Sequence, residues 1–150
     1  MEASVFRAIG LVLFLVITTV LTHFRVINAL MPWLLRRPPK AHSNLLIIVF
    51  GMILAHLLEI LIYSAGYYVG ENTLHLGGFS GVRSFVPIDY FTLSAETFTT
   101  AGIGDVYATG SLRIVAGIEA INGLILIAWS GSCTYFVADR LWRETKPDVS

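Results

Sequence analysis

Residues 100–105, Thr100-Ala101-Gly102-Ile103-Gly104-Asp105, set two glycines one residue apart behind a threonine. Glycine takes positive φ without a β-carbon clash, so alternating it with L-residues can turn successive carbonyl oxygens to one side of an extended chain. Oxygens presented in this way replace the water around a small cation, and four such strands around an axis would stack them in rings. A lone Gly-x-Gly is weak, because most are ordinary turns, so its meaning depends on the elements that hold it.

Other residues carry ionisable groups where the sequence is otherwise apolar. His56 and Glu59 are three apart, share one helical face and can bond each other, either as a satisfied interhelical pair or as a proton-sensing one. Glu119 stands alone in an apolar run. Such groups cost at least about 2.5 kcal/mol near a bilayer centre and need a partner or a task. No nucleophile-base pair and no metal-ligand spacing accompanies them, so we expect no enzyme, no catalytic residue and no cofactor.

The elements that must position these residues are set by composition. Hydrophobic residues make up 55% of the 150, charged residues only 13%, more apolar surface than a soluble domain of this size can bury, so lipid should cover much of it. The net charge of zero gives no sign of a nucleic-acid partner. Cys133 has no second cysteine to pair with and reads as packing.

Three apolar stretches, 5–23, 44–68 and 110–138, are long enough to cross a bilayer. The first lacks a small-residue cleavage site and reads as a retained helix. Residues 24–35 either lie along the membrane surface or continue the first span, and Pro38-Pro39 ends any helix there. Basic residues flank the spans at Arg36, Arg37 and Lys40, then at Arg140, Arg143 and Lys146, which places both flanks in the cytoplasm and the N-terminus outside. Tyr63, Tyr67 and Tyr68 should then form an outer aromatic belt, and 69–87, rich in glycine, an exposed loop with little regular structure.

Between the second and third stretches, residues 87–105 are too polar to span, which suggests a re-entrant loop. Asp89 is placed to cap a short helix over 90–99, whose carbonyl end would point towards the bilayer centre, where a dehydrated cation needs stabilisation.

Thr99-Thr100-Ala101-Gly102-Ile103-Gly104-Asp105 resembles the Thr-Thr-Val-Gly-Tyr-Gly-Asp signature of the two-transmembrane potassium channel pore family. The similarity covers roughly 44–140, with Leu112-Arg113 and Glu119-Ala120-Ile121-Asn122-Gly123 resembling the inner-helix pattern of bacterial members. It implies an all-α membrane protein with an outer helix, a re-entrant pore helix and selectivity filter, an inner helix, and one extra N-terminal transmembrane helix. The organisation would be 1–43 N-terminal helix and cytoplasmic interfacial segment, 44–142 pore domain, 143–150 short cytoplasmic tail. One pore loop per chain implies a homotetramer in the cell membrane, with potassium as permeant ligand.

By the same resemblance, Thr100 offers hydroxyl and carbonyl to the innermost ion site, the carbonyls of Ala101, Gly102 and Ile103 form the outer sites, and Gly104 shapes the mouth. Glu96 and Asp105 match a pair that shares a proton and braces the filter, Thr99 completes the filter's support, and Glu119 sits behind it. Gly123 matches a hinge-like glycine that either opens an inner gate or packs closely. Gly117 and Gly131 admit the same packing or bending, while Ser130, Ser132 and Thr134 either wet an inner vestibule or bond their own helix. Ile103 replaces the family's tyrosine or phenylalanine and Ala101 a larger residue. The aromatic partners at positions 92 and 93 are Thr92 and Leu93, leaving an apolar Ile103–Leu93 wall. Potassium selectivity, weak sodium and potassium selectivity, and a non-conducting scaffold all remain open.

Overall fold

The computed structural model describes residues 2–38, 43–81 and 84–145; Lys40 and Lys146, two of the basic flanking residues, lie outside these. Four helices carry the chain: α1 Glu2–Leu35, α2 Ser43–Asn72, the short α3 Asp89–Phe98, and α4 Leu112–Thr145. Of these, α1, α2 and α4 are long and apolar enough to cross a membrane. A helix of 34 residues such as α1 extends about 51 Å, well beyond a hydrocarbon core of about 30 Å.

That surplus length explains the fate of residues 24–35. They form no separate surface helix but continue α1 without interruption, carrying exposed Arg25 and Asn28 beyond the apolar stretch. Pro32 sits in the last turn, near the point where the chain leaves the helix. Likewise α4 runs on through residue 143 to Thr145, so the described part of the expected tail is helical.

The long helices alternate in direction. At one end Arg7 donates to the Leu74 carbonyl at 2.9 Å; at the other Arg140 donates to the Leu35 carbonyl at 3.1 Å. Arg36, Arg37, Arg140 and Arg143 are thereby gathered at one end, and the 73–111 connection at the opposite one.

Within that connection, the described residues of 69–87 are more ordered than their glycine content suggests. Helix α2 continues to Asn72, and β1 Phe79–Gly81 pairs antiparallel with β2 Val106–Ala108, Ser80 opposite Tyr107. Phe79 packs on Tyr67, Phe85 and Tyr90, an apolar cluster that a solvated loop would not keep together. Tyr90 Oη donates to Glu71 and accepts from Asn72 at 3.1 Å. Burial, then the bond to Glu71, raises the Tyr90 phenol above its ordinary range.

One buried cluster, including Leu15, Tyr63, Tyr67, Phe98, Leu112 and Leu126, joins α1, α2, α3 and α4. A second, with Ile27, Leu34, Ile48, Met52 and Val137, closes the opposite end. Two of the three belt tyrosines therefore belong to the core: Tyr63 and Tyr67 are fully buried because Asn122 and Glu119 supply partners for their hydroxyls, and only Tyr68 faces outward. Outside the clusters, Phe6, Phe14, Phe50, Leu61, Leu124 and Ile125 are exposed, an apolar exterior suited to lipid.

Gly123 is where α4 meets α3. A β-carbon there would fall on the Phe98 backbone carbonyl, which cannot swing aside as a side chain could. Gly123→Ala is expected to lower the melting temperature in detergent, with overpacking costing about 1–3 kcal/mol. Gly10→Ala, whose added carbon meets nothing within 4 Å, is expected to leave it unchanged or raise it; equal effects of the two would contradict the close contact.

Candidate functional site

The short helix α3 is held from behind by a buried carboxylate. Glu119 is completely covered, and its Oε1 lies 2.6 Å from Ser94 Oγ on α3 while Tyr67 Oη on α2 donates to Oε2. Ser94 Oγ also reaches the Ile60 carbonyl at 3.0 Å. Three helices thus share one polar knot. Phe98, fully buried, fixes the far end of α3 against Gly123 and the His56 ring.

Asp89 occupies the first helical position rather than the cap. Ile88 stands at the N-cap with no side-chain hydrogen bond, and the Asp89 carboxylate accepts from the Val86 amide upstream at 2.7 Å. The turn at Pro87 and Ile88 brings that amide back over the helix start, so the carboxylate orders the entry to α3.

At its other end α3 passes into the glycine-punctuated segment. Thr99 Oγ1 donates to the Ala95 carbonyl at 2.7 Å, Thr100 N to Thr97 O at 3.0 Å, and Ala101 N to Glu96 O at 2.8 Å. Beyond this the backbone has positive φ at every second residue: 58° at Thr100, 55° at Gly102 and 80° at Gly104. Residues 99–104 are all exposed, and among the described residues no hydrogen bond ends on the carbonyls of 100–104.

A cleft of about 600 Å³ flanks the segment, lined by residues including Leu93, Glu96, Gly102, Gly104, Tyr107 and Arg113. Leu93 is buried whereas Ile103 is 74% exposed, so the two make no wall within one chain. Leu93 faces the core beneath α3, and Ile103 projects from the open side of the segment. Glu96 lines the cleft, and among the described residues no hydrogen bond joins its side chain to half-buried Asp105. Glu96 supports the segment through its backbone carbonyl instead.

Lower in the bundle, His56 Nδ1 and Glu59 Oε2 are 2.9 Å apart, so the two residues three apart do bond. His23 of α1, which the sequence reading passed over, brings its Nδ1 within 2.8 Å of Glu59 Oε1. Ser130 Oγ lies 3.0 Å from His56 Nε2 and 3.4 Å from His23 Nε2. Metal-ligand spacing is missing from the sequence, yet folding converges three ligand-type atoms within 4.8 Å of one another. The one sequence signal for His23 is its place, with Thr19 and Ile27, on the inward stripe of α1.

The remaining polar positions divide. Asn122 Nδ2 donates to Thr19 Oγ1 at 2.8 Å and Tyr63 Oη at 3.1 Å, bridging three helices. Ser132 donates to its own helix at Ala128 O, 3.1 Å. Gly117 and Gly131 face open space, and Cys133 is a half-buried free thiol beside the second cluster. Compared with known protein families, curated proteins and solved structures, the chain matches none of them.

Removing the knot costs its partners an acceptor. Glu119→Ala takes away the carboxylate that the buried Tyr67 hydroxyl donates to, at a cost of about 1–3 kcal/mol, and leaves Ser94 with the Ile60 carbonyl alone. Thermal unfolding in detergent is expected to show a far larger loss for Glu119→Ala than for Glu119→Gln, which retains an acceptor oxygen; similar losses would mean that the hydrogen bonds contribute little.

Proposed function

We propose that this chain is one subunit of a homotetrameric membrane pore that passes monovalent cations, potassium in preference to sodium, between four copies of residues 100–104. The observation that carries this reading is the alternation of positive φ at Thr100, Gly102 and Gly104 in an exposed segment whose carbonyls accept no hydrogen bond among the described residues. Alternating backbone handedness turns neighbouring carbonyls to one side. A single chain offers those oxygens to open space. Four related by a rotation axis would surround an ion with them and complete its coordination.

Two further features support the reading. The carbonyl end of α3 runs directly into the segment, so the negative end of its dipole favours a cation there. The exposed segment and its neighbouring cleft offer surface for an adjacent subunit, while the outward faces of α1 and α2 suit lipid. In this arrangement Thr100 lends its hydroxyl and carbonyl to the innermost site, Ala101, Gly102 and Ile103 lend carbonyls, and Gly104 shapes the mouth.

Gathering of Arg36, Arg37, Arg140 and Arg143 at one end favours that end as cytoplasmic, with the N-terminus and the β1–β2 pair outside. The exposure of Ile103 favours weak sodium and potassium selectivity as the second reading. An aliphatic side chain has no directional bond with which to fix the diameter of the oxygen rings.

Purified full-length protein in liposomes provides the test. Potassium flux above that of protein-free vesicles, with slower sodium flux, and a tetramer on chemical cross-linking are expected. Gly104→Ala forces an L-residue into the left-handed region at about 1–2 kcal/mol per copy and is expected to abolish or strongly reduce flux while leaving the helical circular-dichroism spectrum unchanged. Equal fluxes of both ions would establish the weakly selective reading. A tetramer that passes neither ion would indicate a scaffold, and a monomer would overturn the proposal.

A further inference from the structure

Inside the bundle, away from residues 100–104, His23, His56 and Glu59 form a cluster with no part in the proposed conduction path. His23 and Glu59 side chains are 0% exposed and that of His56 is 18% exposed. The two imidazoles bond in the same sense: both Nδ1 atoms point at the two oxygens of a single carboxylate, at 2.8 and 2.9 Å, and both Nε2 atoms point at Ser130 Oγ. Trp129 and Phe98 wall the cluster with aromatic carbon.

Counting hydrogens shows what a bound cation supplies when neither imidazole is protonated. With both imidazoles neutral and donating from Nδ1 to Glu59, two Nε2 lone pairs compete for the one hydrogen of Ser130, and the carboxylate's negative charge has no counter-charge in an apolar bundle. A divalent ion between the two Nδ1 atoms and the carboxylate changes both counts. Each imidazole then carries its hydrogen on Nε2, and Ser130 Oγ has two lone pairs to accept both. The orientation of ligating histidines by a second bond on the opposite ring nitrogen is a general feature of metal sites.

We propose that His23 Nδ1, His56 Nδ1 and Glu59 form a binding site for one divalent first-row transition-metal ion of the zinc type, oriented by Ser130 and linking α1 to α2. Two imidazoles and one carboxylate suit such an ion and not magnesium or calcium, which take predominantly oxygen ligands. A bidentate Glu59 completes four coordination positions. Partial exposure of His56 marks the side from which the ion enters.

The test uses the full chain in detergent, stripped with a chelator and titrated with zinc and, separately, with cobalt(II) as a spectroscopic probe. One ion per chain and a four-coordinate cobalt absorption spectrum are expected for the natural protein and for His75→Ala, which removes an exposed histidine outside the cluster. His23→Ala and Glu59→Gln are expected to weaken binding by at least ~10-fold, and Ser130→Ala, which keeps every ligand, to weaken it by about 10-fold while shifting the cobalt spectrum. Ser130→Ala removes only one hydroxyl and so still tests the site if a ligand variant fails to fold. Binding indifferent to His23, Glu59 and Ser130 would place the metal elsewhere. A natural protein that takes up one proton at the cluster but no stoichiometric metal would overturn the proposal in favour of a protonation site.

Discussion

A carboxyl group held in an apolar helix bundle must be met by donors, and the position of Glu119 therefore governs how the rest of the chain is arranged. Its two oxygens are met from different helices, Ser94 on α3 and Tyr67 on α2. The Ser94 hydroxyl reaches it only because α3 is tucked between α2 and α4. Close approach at Gly123 allows the same tuck, because the Phe98 carbonyl occupies the space of a missing side chain. The polar knot supplies direction, and the glycine supplies room.

Helix α1 takes part in the same logic and is not a peripheral addition. Its inward stripe carries Thr19 and His23 among apolar residues, and both find partners on other helices: Asn122 for Thr19, Glu59 and Ser130 for His23. Apolar contact alone gives little preference between helix faces when the surrounding solvent is hydrocarbon, since lipid tails are as apolar as leucine. Hydrogen bonds between helices restore the preference. The seam of Thr19, Tyr63, Asn122, His23, Glu59 and Ser130 consequently sets the rotation of each long helix about its axis.

Against this well-satisfied interior, residues 99–104 stand out. Thr100, a β-branched residue, holds φ at 58°, a conformation that costs about 1–2 kcal/mol without compensation. The segment is anchored on the α3 side by bonds from Thr99, Thr100 and Ala101 and returns to order at Val106, where β2 pairs with β1. Strained, exposed backbone between two fixed ends is what the proposed pore would use: oxygens without a hydrogen-bond partner among the described residues, held in place by their surroundings.

Much of this architecture was legible from residue order. Three apolar stretches gave three long helices, Asp89 marked the start of a short one to within a residue, and the glycine spacing marked a backbone of alternating handedness, because these depend on local sterics and on hydropathy over windows of a few turns. Distances between remote residues were not legible. That Tyr63 and Tyr67 turn inward, that 69–87 includes a strand paired with β2, that Glu96 bonds through its backbone and makes no hydrogen bond with Asp105, and that His23 joins His56 and Glu59 all depend on the rotation and register of packed helices. The sequence by itself determined which segments leave water and where the chain must bend; only the tertiary structure decided which buried polar groups meet, because a buried donor or acceptor takes whatever partner the packing of other elements delivers.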